Sequence, residues 1–182
     1  MVKGLVRPVS DDLGFEVIGH YRYAHIARRV AAVPAKEGAF GAPEGQILAH
    51  LQQFISAKYT IDVAYRNFAD RVHGPWRDSL VNHWYKHAEE ERKNTYDLTM
   101  KVVAMGGDPV QTIIQVPPCT ANVAALMQVL VTMELDAIEA GRGLCTLAGD
   151  NTALRLLGEE SILLDTQHLD DLRRMMAKID MK

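Results

Sequence analysis

Four residues of types that ligate transition metals stand on otherwise apolar stripes of this sequence: Glu91, Glu134, Asp165 and His168. Glu91 falls on the run 84, 88, 91, 95, 98 and Glu134 on the run 127, 130, 134, 137, 141. Asp165 and His168 share a third run through 157, 161, 168 and 172, and at i and i+3 they lie on one helix face. Periodicity of three and four residues turns each stripe toward a helix-packed core. Isolated carboxylates there cost several kcal/mol unless a cation meets them. Three of them with one imidazole therefore point to a metal, and an oxygen-rich set with one nitrogen suits iron or manganese better than copper. The alternative is a structural network in which Lys58, on a fourth stripe with Asp62, supplies the positive charge.

The elements that position these residues can be read from the same periodicity. Leu51, Ile55, Ile61, Tyr65, Phe68 and Val72 mark a first helix over roughly 43–72, ended by His73-Gly74-Pro75. Pro75 suits the first turn of a second helix, whose stripe Leu80, Trp84, Ala88, Leu98, Val102 and Met105 stops at Gly106-Gly107. A third run, Val123 to Leu144, ends at Gly149-Asp150-Asn151, and a fourth, Leu154 to Ile179, follows it. Short turns make the first and second helices one antiparallel hairpin and the third and fourth another. About fourteen residues separate the hairpins and reach about 46 Å when extended, enough to cross a 30-residue helix of about 45 Å. The expected fold is an all-α four-helix bundle over 43–182 with one long crossover, plus an N-terminal extension over 1–42 with a short helix over Tyr21 to Ala32. Lys58 and Glu91 each lie 16 residues from Gly74 and Pro75 respectively, and Glu134 and Asp165 each lie 15 from Gly149 and Asp150. All four should meet at mid-bundle.

Three segments resemble the ferritin-like superfamily. Glu90-Glu91-Arg92-Lys93-Asn94, with Gly106-Gly107 twelve residues on, resembles the second helix of ferritins and bacterioferritins, where Glu-x-x-His precedes such a glycine pair. Met133-Glu134-Leu135-Asp136-Ala137-Ile138 is similar to the family's third helix, and Ile162 to Leu172, holding Asp165 and His168, is similar to its Glu-x-x-His fourth helix. The resemblance spans about residues 45–180. It implies a metal site of Glu91, Glu134, Asp165 and His168 for iron, iron oxidation and storage, and a homo-oligomeric cage. Two positions depart from the pattern. Asn94 stands at the second helix's histidine, and Lys58 falls where the first helix supplies a carboxylate. One of two iron subsites is therefore incomplete. Asp62 replaces the missing carboxylate, or the centre holds a single metal, or Lys58 fills the metal's place and the bundle is a shell or scaffold without ferroxidase activity. Arg92 occupies the position of the bacterioferritin haem methionine, so no haem is expected. The chain stops after the fourth helix, which resembles Dps-like shells with a bacterioferritin-type site, and leaves 12 or 24 subunits open.

Composition narrows the remaining classes. The net charge of −3 over 182 residues, 48% of them hydrophobic, fits one globular domain. Residues 1–42 carry six Lys/Arg against four Asp/Glu, so DNA protection of the Dps kind through Arg22, Arg28 and Arg29 has only weak support. No apolar run reaches the roughly 20 residues of a membrane span. Cys119 and Cys145 make neither a disulfide framework nor a thiolate zinc site, and a cytoplasmic location is expected. His83 and His87 with Glu90 form His-x-x-x-His-x-x-Glu, which reads as a surface group just off the inward stripe, with a second metal site as the rival reading. Trp76, Trp84 and Tyr85 read as packing or subunit-contact residues, and the eight methionines as core filler.

Overall fold

The computed structural model describes residues 44–110, 112–113, 116, 118 and 122–180. The extension expected over 1–42, with its arginines, and Cys119 lie outside the described residues. Four helices follow in order: α1 Glu44–Arg71, α2 Arg77–Ala104, α3 Val123–Ala148 and α4 Thr152–Asp180. The four expected helices are present within one or two residues, except that Pro75 and Trp76 precede α2 in a turn instead of opening it. Among the described residues there is no strand, and no helix is long and apolar enough to cross a membrane.

The helix ends follow local chemistry. Asn122 and Asn151 sit just before α3 and α4, and their side-chain oxygens accept from Ala125 N and Leu154 N, each at 3.2 Å. Gly106 closes α2 at φ +78°, a left-handed turn that a side chain disfavours.

Helix α1 packs on α2, α3 on α4, and α1 on α3, with a lighter contact of α2 on α4. Contacts across each neighbouring pair run antiparallel, as His50 of α1 against Ala140 of α3 and His83 of α2 against Asp171 of α4 illustrate. That leaves α2 and α3 parallel on a diagonal, so the end of α2 and the start of α3 stand at opposite ends of the bundle. Gln52 of α1 pins the start of this crossover, accepting from Val110 N at 3.0 Å. Leu51, Phe54, Ile55, Phe68, Trp84, Leu126, Leu130, Leu144 and Leu172 belong to one buried apolar cluster. Burying a Leu, Ile or Phe side chain contributes about 1.5–3 kcal/mol. A layer of buried polar side chains interrupts this cluster in the bundle's middle.

The α3–α4 contact is tight because it runs through glycines. A Cβ on Gly158 would stand 2.6 Å from Cys145 Sγ and 3.1 Å from Gly141 O, and one on Gly141 would stand 2.7 Å from Ile162 Cγ1. Hydrogen side chains at both positions let the two backbones approach.

Candidate metal centre

Each helix sends polar side chains into the middle layer. Lys58 and Tyr65 come from α1, Glu91 and Asn94 from α2, Glu134 from α3, and Asp165 and His168 from α4. All are buried, because the stripes that carry them continue as Leu, Ile, Phe and Trp on either side. Glu91, Glu134, Asp165 and His168 each bring a ligand atom to within 4.8 Å of the others. The predicted quartet is thus brought together, and Lys58 joins it.

Lys58 Nζ lies 2.7 Å from Glu91 Oε2 and also contacts Asp165 Oδ1. His168 Nδ1 lies 3.0 Å from Glu91 Oε1 and 3.3 Å from Glu134 Oε1, in charge contact with both but aligned with neither as a hydrogen bond. Its Nε2 meets Glu90 Oε2 at 3.1 Å. Tyr65 donates its hydroxyl to Glu134 Oε1 at 2.6 Å. Both oxygens of Glu91, Glu134 Oε2, Asp165 Oδ2, Asn94 Oδ1 and His168 Nδ1 have no hydrogen-bond partner. Asp62 takes no part. It is buried one turn from Lys58 but accepts from Arg66 at 2.6 Å and Arg92 at 3.4 Å, so the substitution by Asp62 expected as one option does not occur.

The electrostatics follow from burial and crowding. Burial alone would strip the proton from Lys58, but Glu91, Asp165 and Glu134 outweigh it and hold the amine charged well above its ordinary value. Burial likewise opposes charge on His168, and Glu134 and Glu91 push it up to about 10. Burial raises Asp165 to about 8, helped by Glu91 and Glu134 and opposed by Lys58. Glu134 is raised by burial and by the charge of Glu91. On Glu91, burial is outweighed by Lys58 and His168, so its carboxyl stays below the usual range. Two cations thus face three carboxyl groups, and the raised Asp165 carboxyl, by keeping its proton at neutral pH, leaves the layer without net charge.

Sequence reasoning missed two participants. Tyr65 reads as one more apolar stripe residue, and its hydroxyl gives no periodic signal. His87 was expected at the surface, yet it is 1% exposed. It stacks on His168 with ring centroids 4.1 Å apart, and its Nδ1 lies 3.3 Å from Tyr65 Oη. Its position three residues after Trp84 and four before Glu91 was the available signal.

The sequence matches the ferritin-like domain over residues 48–181. The chain belongs to the ferritin-like domain family. Its bundle superposes on ferritin-like, diiron-carboxylate proteins from Bacillus anthracis str. Ames with a TM-score of 0.70 at 20% identity, covering 73% of this chain and 96% of that one. It is also similar to the dodecameric thioferritin of Bacteroides fragilis, a bacterioferritin-related protein, with a TM-score of 0.72 at 17% identity, covering 77% and 89%. No curated protein matches the sequence. Against this ferritin-like frame the donor set fits one metal ion. Three carboxyl groups with unpartnered oxygens converge with one imidazole, whereas on the α1 side Lys58 presents an ammonium in place of a fourth acid.

Proposed function

We propose that this bundle binds one Fe(II) ion as substrate through Glu91, Glu134, Asp165 and His168, supports its oxidation, and belongs to a homo-oligomeric iron-storing shell. The observation that carries the reading is the excess of buried acceptors over donors in the middle layer. Buried carboxylate oxygens left without a hydrogen bond cost about 1–3 kcal/mol each or more, and a divalent cation removes that cost. Fe(II) gives up one electron to an oxidant of the dioxygen or peroxide class. The protein's part is to supply anionic oxygens that favour Fe(III) over Fe(II), to hold Glu134 in place through Tyr65, and to keep Lys58 as a fixed charge where a second metal and its ligand would otherwise stand. Leu135, Leu156 and Leu163, exposed on α3 and α4, supply apolar area for contacts between copies, as does the likeness to a dodecameric relative.

A second reading has its own support. Lys58 is fully buried between Glu91 and Asp165, and a bundle neutralised this way serves as a shell or scaffold without oxidising iron. Nucleic-acid binding rests on residues 1–42 and gains nothing from the bundle.

Anaerobic Fe(II) titration of the parent and of Lys58→Glu separates the two. The iron reading expects saturable binding in the parent and tighter binding in the variant, which gains a ligand. Absence of buried-site binding in both supports the scaffold.

A further inference from the structure

Beyond the middle layer, α2 and α4 bring together a second set of ligand atoms. His83 and His87 stand one turn apart at i and i+4. Their Nε2 atoms lie 3.2 Å and 3.4 Å from one oxygen, Asp171 Oδ2. Arg174 donates to the other oxygen, Oδ1, which leaves Oδ2 to the histidines. His87 is buried, whereas the side chains of His83 and Asp171 are 36% and 26% exposed, so the set opens on solvent along one side.

The proton carried by His87 follows from its neighbours. Tyr65 has one hydroxyl hydrogen and gives it to Glu134 Oε1 at 2.6 Å. The Tyr65 oxygen is left to accept, and the group in reach is His87 Nδ1 at 3.3 Å, which therefore bears the hydrogen. In its neutral form an imidazole protonated on Nδ1 has a bare Nε2. His87 Nε2 thus turns a lone pair toward a carboxylate oxygen 3.4 Å away with no proton to share.

We propose that His83 Nε2, His87 Nε2 and Asp171 Oδ2 bind a divalent transition-metal ion at the bundle surface, and that this site is where metal is taken up on its way to the buried layer. Two imidazoles and a carboxylate with an open position toward solvent suit Zn(II), Co(II) or Fe(II). The inward route is drawn by shared ligands. His87 also groups with Glu90 and His168, and His168 groups with Glu91, Glu134 and Asp165, each set having its ligand atoms within 4.8 Å of one another. Consecutive sets share one histidine, so metal-ligating side chains form an unbroken line from the bundle surface to the buried layer. The surface site stands on its own geometry, while its role in uptake rests on the buried layer taking iron.

The test is Co(II) titration of metal-free full-length protein, followed by visible ligand-field absorption, in the parent, His83→Ala, Asp171→Asn and Glu134→Gln. The proposal expects a ligand-field band that survives in Glu134→Gln and is lost or shifted to about tenfold higher Co(II) or more in both surface variants. Unchanged Co(II) affinity and spectrum in His83→Ala and Asp171→Asn overturn the site, and near-isosteric Asp171→Asn guards against a folding artefact. The uptake role expects His83→Ala to slow oxidation of limiting Fe(II) about tenfold. An unchanged rate in His83→Ala overturns uptake. If Co(II) behaves as expected and no variant, nor the parent, oxidises iron, the surface site stands and the reading of the buried layer fails.

Discussion

Lys58 Nζ and Glu91 Oε2 lie 2.7 Å apart, and neither side chain has any exposure to solvent. The pair joins α1 to α2 at the level where α3 and α4 contribute Glu134, Asp165 and His168. Lys58 therefore carries one of the two positive charges that face the carboxyl groups of this layer.

Replacing Lys58 with Met keeps the volume and removes the charge. Glu91 and Asp165 are then left without their cation, and metal-free protein should lose about 3–5 kcal/mol in urea denaturation. Addition of Zn(II) should restore much of the loss, because a cation in the layer stabilises only the folded state. A variant as stable as the parent without metal would show that the carboxyl groups simply take up protons.

The metal-free protein should also weaken in mild alkali. Asp165 titrates at about 8 in the fold instead of 3.8, and His168 at about 10 instead of 6.5. Both groups hold protons in the fold that the unfolded chain has released, so their stabilisation is complete below the ordinary values and is lost as pH rises through the raised ones. His87 has the opposite sign. Lowered from 6.5 to about 3, it costs stability as pH falls through that window and offsets Asp165 there. Above pH 6.5 only the losses remain, at about 1.4 kcal/mol per pH unit for each extra bound proton. Urea midpoints with chelator present should fall from pH 6.5 to pH 9, and an equal midpoint at both would contradict the protonation pattern.

Gly158→Ala tests the close α3–α4 contact. The added methyl meets Cys145 Sγ and Gly141 O, so overpacking of about 1–3 kcal/mol should exceed the helix-propensity gain of about 1 kcal/mol. The melting temperature should fall, and Cys145→Ala in the same chain should recover part of the fall by removing the sulfur. A variant melting at or above the parent's temperature would show that α3 and α4 are not held this closely.

Assembly gives a simpler expectation. Leu135, Leu156 and Leu163 are 44%, 51% and 60% exposed, and covering them in contacts between copies should give a light-scattering mass far above two chains. One or two chains would contradict the shell.

Much of this was legible in the sequence, and the reasons are physical. Apolar stripes fix which face of each helix turns inward, so Glu91, Glu134, Asp165 and His168 could be placed in the core and at one level from their distance to the turns. Lys58 was legible as well, since it sits on the same stripe as Ile55 and Ile61. Asp62 was not resolved by spacing, because its partners Arg66 and Arg92 draw it sideways into an ion pair at the α1–α2 seam. His87 was misplaced because an α-helix has more than one inward edge, and position 87 lies on the edge facing α4. The link from Tyr65 to both Glu134 and His87 depends on side-chain directions that no periodicity encodes.

Iron binding and oxidation in the middle layer are read most directly from the oxygen-dependent ferric absorbance of the parent and of Glu134→Ala after anaerobic loading with equal Fe(II). A saturable ferric signal is expected in the parent, and Glu134→Ala should abolish it while remaining folded by circular dichroism. A parent that yields no ferric signal above buffer, or a Glu134→Ala variant that oxidises iron as fast as the parent, would contradict the iron reading.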